Sequence, residues 1–179
     1  MFNLFKKKEP SVKVIDKVTI TETAKLKALL SHWKRDRNIT IIFWFEESLR
    51  QAEAFFSDQA TANVTLLTSR EAGLQHISGN TIVFAEHYPV RSKEEALYQK
   101  LHLTTVQVYS SLDEPFFQRF GGDKIVQLMQ RLGVKEEEII QHTMISKAIL
   151  AAQNKMEKKI VIEQPAHSQK NWLEKNFPV

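Results

Sequence analysis

The sequence predicts an α/β domain with a mainly parallel sheet covered on both faces, followed by a helical extension. Two observations carry this. Short β-branched or aromatic runs alternate with helical stretches from Val14 to Tyr109, joined by short connections, the pattern of crossover units. After Ser111 the pattern becomes helix only.

The elements follow in order. Val14–Ile20 (VIDKVTI) reads as a short strand. Thr21 offers an N-cap oxygen with Glu22 in the first turn, where negative charge suits the helix dipole. Leu26, Leu29, Leu30 and Trp33 then fall at i, i+3, i+4, i+7, one buried stripe of a helix. Ile39–Phe45 (ITIIFWF) is apolar on both faces, as a central parallel strand requires. A helix from Glu46 points Leu49, Ala52, Phe55 and Phe56 inward. Asn63–Thr68 reads as a strand, Ser69 as the cap of a short helix through Ile77, and Gly79 as its close. Thr81–Ala85 is a further strand. Pro89 bars helix until Ser92, which caps Ser92–Leu101. Thr105–Tyr109 is the last strand.

Beyond it, Ile125, Leu128, Met129 and Leu132 form one stripe ended by Gly133, and Ile145, Ala148, Ile149, Ala152 and Met156 form a longer one. A helix is expected around Trp172 and Leu173. The organisation read from this is a flexible arm over 1–12, an α/β domain over 13–135 and a helical extension over 136–179.

Composition narrows the function. Cys is absent, which removes disulfides and thiolate chemistry together and fits a reducing cytoplasm. No run of ~18 apolar residues exists to span a bilayer. In MFNLFKKKEP the hydrophobes precede the lysines, the reverse of a secretory signal. The net charge of +4 reads as a solvated surface. Aromatics are not interleaved with the basic clusters in the way a single-strand groove needs, so a nucleic-acid partner is not expected.

The segment Ser111–Lys155 carries a family resemblance. Val108–Glu114 reads VYSSLDE, Arg119–Gly122 reads RFGG, and Gln141–Gln153 reads QHTMISKAILAAQ. This resembles the end of the second motor domain and the start of the scaffold helix in SecA, the preprotein translocase ATPase family. Thr21–Ala28 (TETAKLKA) resembles the motif that opens that domain. The resemblance runs from Val18 to Lys159, strong at both ends and weak between. It implies a RecA-like three-layer domain and a link to protein secretion.

The chemistry of such a motor is not written here. The phosphate loop G-x-x-x-x-G-K-[ST], whose backbone N–H groups wrap phosphates, does not occur; in the family it lies in the first motor domain. Where the second domain has a glycine- and arginine-rich loop resembling TNMAGRGTD, this chain has Thr68–Gly73 (TSREAG). Where the family has a segment resembling QLRGRSGRQGD, this chain has VRSKEEALYQKLHL, with no Gly and only Arg91. Thr68, Gly73 and Arg91 are therefore read as vestigial nucleotide-site positions. No catalytic residue, cofactor or metal is expected.

Glu86–His87 follows a strand end and reads as an inherited remnant, because one acid beside one base lacks a nucleophile and an oxyanion donor. His142 reads as a helix cap. Asp113–Glu114 and Glu136–Glu138 read as helix-dipole partners. The functional expectation is a non-catalytic, cytoplasmic interaction module. Its docking stripe is Ile145, Ala148, Ile149, Ala152 and Met156, for an unidentified protein partner or for self-association. Two alternatives stay open, a helicase-derived nucleic-acid binder and half of a split ATPase completed by another chain.

Overall fold

The computed structural model describes residues 12–59 and 63–178; the expected arm over 1–12 lies almost wholly outside them. Five strands, β1 (Lys13–Thr19), β2 (Ile39–Phe43), β3 (Thr65–Thr68), β4 (Thr81–Phe84) and β5 (Thr105–Ser111), form one sheet in the order β1-β5-β4-β2-β3. Every pairing is parallel. Eight helices complete the described fold: α1 (Glu22–Arg35), α2 (Glu46–Asp58), α3 (Leu74–Ile77), α4 (Arg91–Lys100), α5 (Pro115–Arg119), α6 (Gly122–Arg131), α7 (Thr143–Glu157) and α8 (Gln169–Asn176).

Strand alternation splits the core by face. Ile39, Ile41 and Phe43 of β2 pack with Leu29, Leu30 and Trp33 of α1 and Ala52 and Phe56 of α2. Ile42 turns the other way, joining Phe84, Val106 and Val108 beneath Leu97, Tyr98 and Leu101. This gives three layers, helix on sheet on helix.

A third cluster gathers Val18, Phe45, Leu112, Phe116, Ile149, Met156 and Trp172. Through it α7 and α8 share a core with the strands. Val18 exchanges both backbone hydrogen bonds with Ile140, at 3.0 and 2.7 Å, which pairs the outer edge of β1 at that residue.

Several local expectations need correction. Helix α3 starts at Leu74 with Gly73 at its N-cap, not at Ser69. Ser69 donates its N–H to Phe43 and sits in a turn that Glu71 closes by accepting from Thr68 N and Oγ1. Helix α4 starts at Arg91 with no side-chain cap, so Ser92 lies inside its first turn. Strand β5 continues to Ser111 because β1 offers it partners through Thr19. Leu128 on α6 and Leu132, which caps its C-terminus, are exposed, while Ile125 and Met129 pack inward. Thr21 does cap α1, accepting from Ala24 N at 3.2 Å, and His142 caps α7, accepting from Met144 N.

Candidate functional site at the carboxyl ends of the strands

All five strands point the same way, so their carboxyl ends share one edge. From β2 the chain moves outward to β3; from β4 it moves the opposite way, to β5. Connections leaving adjacent strands in opposite directions open a crevice between them, the usual ligand position in open α/β sheets.

Glu86 stands in that crevice, just past β4. Its Oε1 accepts from Trp44 N at 2.9 Å and Phe45 N at 3.0 Å, and its Oε2 from Ser48 Oγ at 2.8 Å. Burial pushes its carboxyl up to about 7, against the opposing pull of Lys25. The group that could meet a phosphate here is thus a carboxyl already bonded to the loop after β2.

Lys25, from the first turns of α1, is the second buried group. Its Nζ lies 2.7 Å from Glu114 Oε1 and 2.8 Å from Glu22 Oε2. Burial disfavours its charge, but Glu114, Glu22 and Glu86 outweigh this and hold its pKa above the ordinary value. Ser111 N also donates to Glu114 Oε1. A cavity of about 180 Å³ lies over this group, lined by Lys25, Glu86, Glu114, Ser168 and Gln169 among others. Gln169 closes it by accepting from Phe116 N at 2.7 Å.

His87 is the third. Its Nε2 lies 2.8 Å from Asp16 Oδ1 and its Nδ1 2.9 Å from Glu94 Oε1. Burial alone would lower its pKa; Glu94 and Asp16 overcome that and push it up to about 10. A carboxylate at each nitrogen favours the imidazolium, which donates to both and keeps no lone pair for a general base. Glu94 Oε1 also accepts from Tyr88 N, and its Oε2 from Arg91 at 3.2 Å.

The expected site residues do not converge. Thr68 ends β3, at the opposite side of the sheet from β1, and is held by Glu71. Gly73 caps α3, its N–H bonded to His76 Nδ1. Arg91 pairs with Glu94 and with Glu95 at 2.9 Å, and lines a small cavity beside Asp16 and Gln153. Of the expected docking stripe, Ile149, Ala152 and Met156 are buried within the chain, Ile145 packs against the same cluster, and Ala148 is exposed. Apart from Ala148, that stripe is covered by the chain itself.

The acids read as dipole partners have more specific roles. Glu114 is the ion-pair partner of Lys25, Asp113 accepts from Glu22 N, Glu136 accepts from Thr21 Oγ1, and Glu137 pairs with Lys27. Sequence reasoning missed Lys25, Asp16 and Glu94. Two of these carried a signal: Lys25 lies four residues before Leu29 on the apolar face of α1, and Asp16 interrupts a strand.

The fold and strand-end geometry define a parallel α/β lobe compatible with the RecA-like class. The chain's sequence is similar to SecA subunits. It is 27% identical over 151 residues to the protein translocase subunit SecA of Christiangramia forsetii, covering 76% of this chain and 14% of that protein. Over 53 residues it is 47% identical to the SecA subunit of Acidithiobacillus ferrooxidans, covering 30% of this chain and 6% of the relative. The Flavobacterium psychrophilum subunit is 43% identical over 51 residues, 28% of this chain and 5% of that one. The matched stretches thus span at most 14% of these relatives. No family model matches the chain. Among the described residues no helix is long and apolar enough to cross a membrane.

Proposed function

We propose that the chain is a cytoplasmic, translocase-related lobe that works through protein contacts and neither hydrolyses ATP nor binds it tightly. One observation carries this reading: Glu86, just past β4, occupies the backbone N–H groups that follow β2. A phosphate entering there would meet a carboxyl, and the N–H groups of Trp44 and Phe45 are already bonded to it. The lone arginine kept from the family's second nucleotide-facing segment, Arg91, pairs with Glu94 and Glu95 rather than projecting free. The domain is on this reading a degenerate counterpart of the second motor, helicase C-terminal, domain.

With the α7 stripe buried, contacts to a translocation-related partner would use apolar groups left on the surface, such as Leu132, Met144, Val161 and Ile162. Calorimetric titration of the full chain with Mg-ATP tests the nucleotide half of the reading. No saturable heat up to about 1 mM is expected, which bounds any binding at roughly −4 kcal/mol. Phosphate release above a protein-free blank, lost in Arg91→Ala, would sink it.

A further inference from the structure

The geometry points to a binding crevice for a small anion with a flat aromatic body, an arylcarboxylate being the simplest, between the ends of β2, β3 and β4. The cavity there measures about 370 Å³, inside the range of roughly 300–1,000 Å³ typical of small-molecule sites. Its wall is aromatic: the Trp44 ring lies 4.9 Å from Tyr88 and stacks on Phe84 at 5.8 Å, and Phe45 stacks on Tyr88 at 5.7 Å. Such faces take a flat apolar body.

The polar groups around it are donors in excess. The buried Trp44 Nε1–H has no hydrogen-bond partner among the described residues. Trp33 Nε1 is likewise unpartnered, so a bare indole N–H marks nothing by itself. Trp44 differs from Trp33 in lining a cavity together with two cations. Arg70 and Lys93 both line the cavity. Each is largely exposed, with its nearest carboxylate, Glu46 and Glu163 respectively, at 3.7 Å. Those pairs are long and wet, and so weak. Glu163, the one acid in the lining, already accepts from Tyr88 Oη and Trp172 Nε1. Among the described residues its other oxygen, Oε2, has only Lys93, at 3.7 Å, so the lining carries two cations to one acid and has room for a further acceptor. A carboxylate set against Arg70 and Lys93, with its ring on Trp44 and Tyr88, supplies one.

This site does not depend on the reading above, since a chain that ignores ATP can still hold an aromatic anion. Indole-3-acetate is the probe, with neutral indole-3-acetamide as control. Indole N–H resonances of the full chain, with Trp44 assigned through Trp44→Phe, report binding at that residue. The acetate should shift the Trp44 signal saturably, with the amide about tenfold weaker, as loss of a charge-assisted contact predicts. The double variant Arg70→Gln/Lys93→Gln, altered only at exposed positions, should lose about tenfold in affinity for the acetate and little for the amide. A Trp44 signal unmoved at about 10 mM acetate, a free energy weaker than −3 kcal/mol, overturns the site. Equal affinity for acetate and amide, or unchanged affinity in the double variant, overturns it too.

Discussion

His87 and Asp16 meet through a 2.8 Å hydrogen bond between imidazole Nε2 and a carboxylate oxygen, both side chains buried. Glu94 takes the other ring nitrogen from α4. The histidine therefore ties β1, the loop after β4 and α4 into one unit. Replacing it with an uncharged side chain leaves two buried carboxylates facing a gap. His87→Gln should lower the free energy of unfolding by about 3–5 kcal/mol, the usual result of removing one partner from a buried pair. Adding Asp16→Asn should recover part of that loss. Urea unfolding of the single and double variants checks both statements, and an unchanged midpoint in the single variant refutes the role.

The same residues set a pH dependence. The ordinary value of the imidazole, 6.5, is raised to about 10 in the fold. Its contribution is fully present below 6.5, where it is protonated folded and unfolded alike, and is lost as pH rises through about 10. Glu86 is raised from 4.5 to about 7, so the folded state favours its neutral form. That contribution is present below 4.5 and lost as pH rises through about 7. Both run in one direction, so these two groups lower the unfolding free energy as pH rises from about 5 to about 10, while His32, which burial holds below its ordinary value, runs the other way. Glu86→Gln keeps an acceptor for Trp44 N and Phe45 N and cannot ionise. It should flatten the acid half of this slope and leave the alkaline half. Denaturant titrations across pH decide it, and an unflattened slope in Glu86→Gln between 4.5 and 7 counts against the assignment.

The sheet was legible because β2 is apolar on both faces, the other strands are short β-branched runs, and the helices between them carry stripes of period 3.6. Ile39–Phe43 and the Leu26–Trp33 stripe lie where those patterns place them. What failed was set by contacts distant in sequence. Ser92 looks like a cap on local grounds, but the chain enters helix at Arg91, with the Glu94 carboxylate turned back to Tyr88 N. Leu128 and Leu132 fit a stripe by spacing alone, and the width of the face that α6 buries is set by what packs on it. The α7 stripe was read as a docking surface for another chain. That its cover is the chain itself depends on Val18, Phe45 and Trp172, which come from three separate segments. The strand-end cavities were not legible because Glu86 and Lys25 at one, and Trp44 and Arg70 at the other, come together only once the strand order is known.

Trp172 fastens α8 over the strand ends. Its ring is fully buried, and its Nε1 donates to Glu163 at 2.8 Å. Trp172→Ala removes both the packing and the bond, and should destabilise the chain by about 3–5 kcal/mol. If α8 is fastened mainly by this residue, limited proteolysis of the variant should cut first between Ile160 and Ser168. Cleavage that begins elsewhere, with a stability loss under about 1 kcal/mol, would show that the cover does not depend on it.

Gly121 and Gly122 of the RFGG segment are needed for two different physical reasons. Gly121 precedes α6 with φ of +87°, a left-handed conformation, and open space where a Cβ would go. Gly121→Ala should therefore cost only the backbone strain, about 1–2 kcal/mol, and Gly121→Asn less, because Asn tolerates that region. Gly122 has an ordinary φ but no room. A Cβ there would lie 2.5 Å from Leu112 O and 2.9 Å from the Phe117 carbonyl carbon. Both are backbone atoms, so relief requires moving α5 or the end of β5. Gly122→Ala should cost about 1–3 kcal/mol, and Gly122→Asn at least as much. The ordering of Asn against Ala is thus opposite at adjacent residues. Thermal unfolding of the four variants reads it directly, and Asn proving milder than Ala at Gly122 would contradict the close approach of helix to strand on which this packing rests.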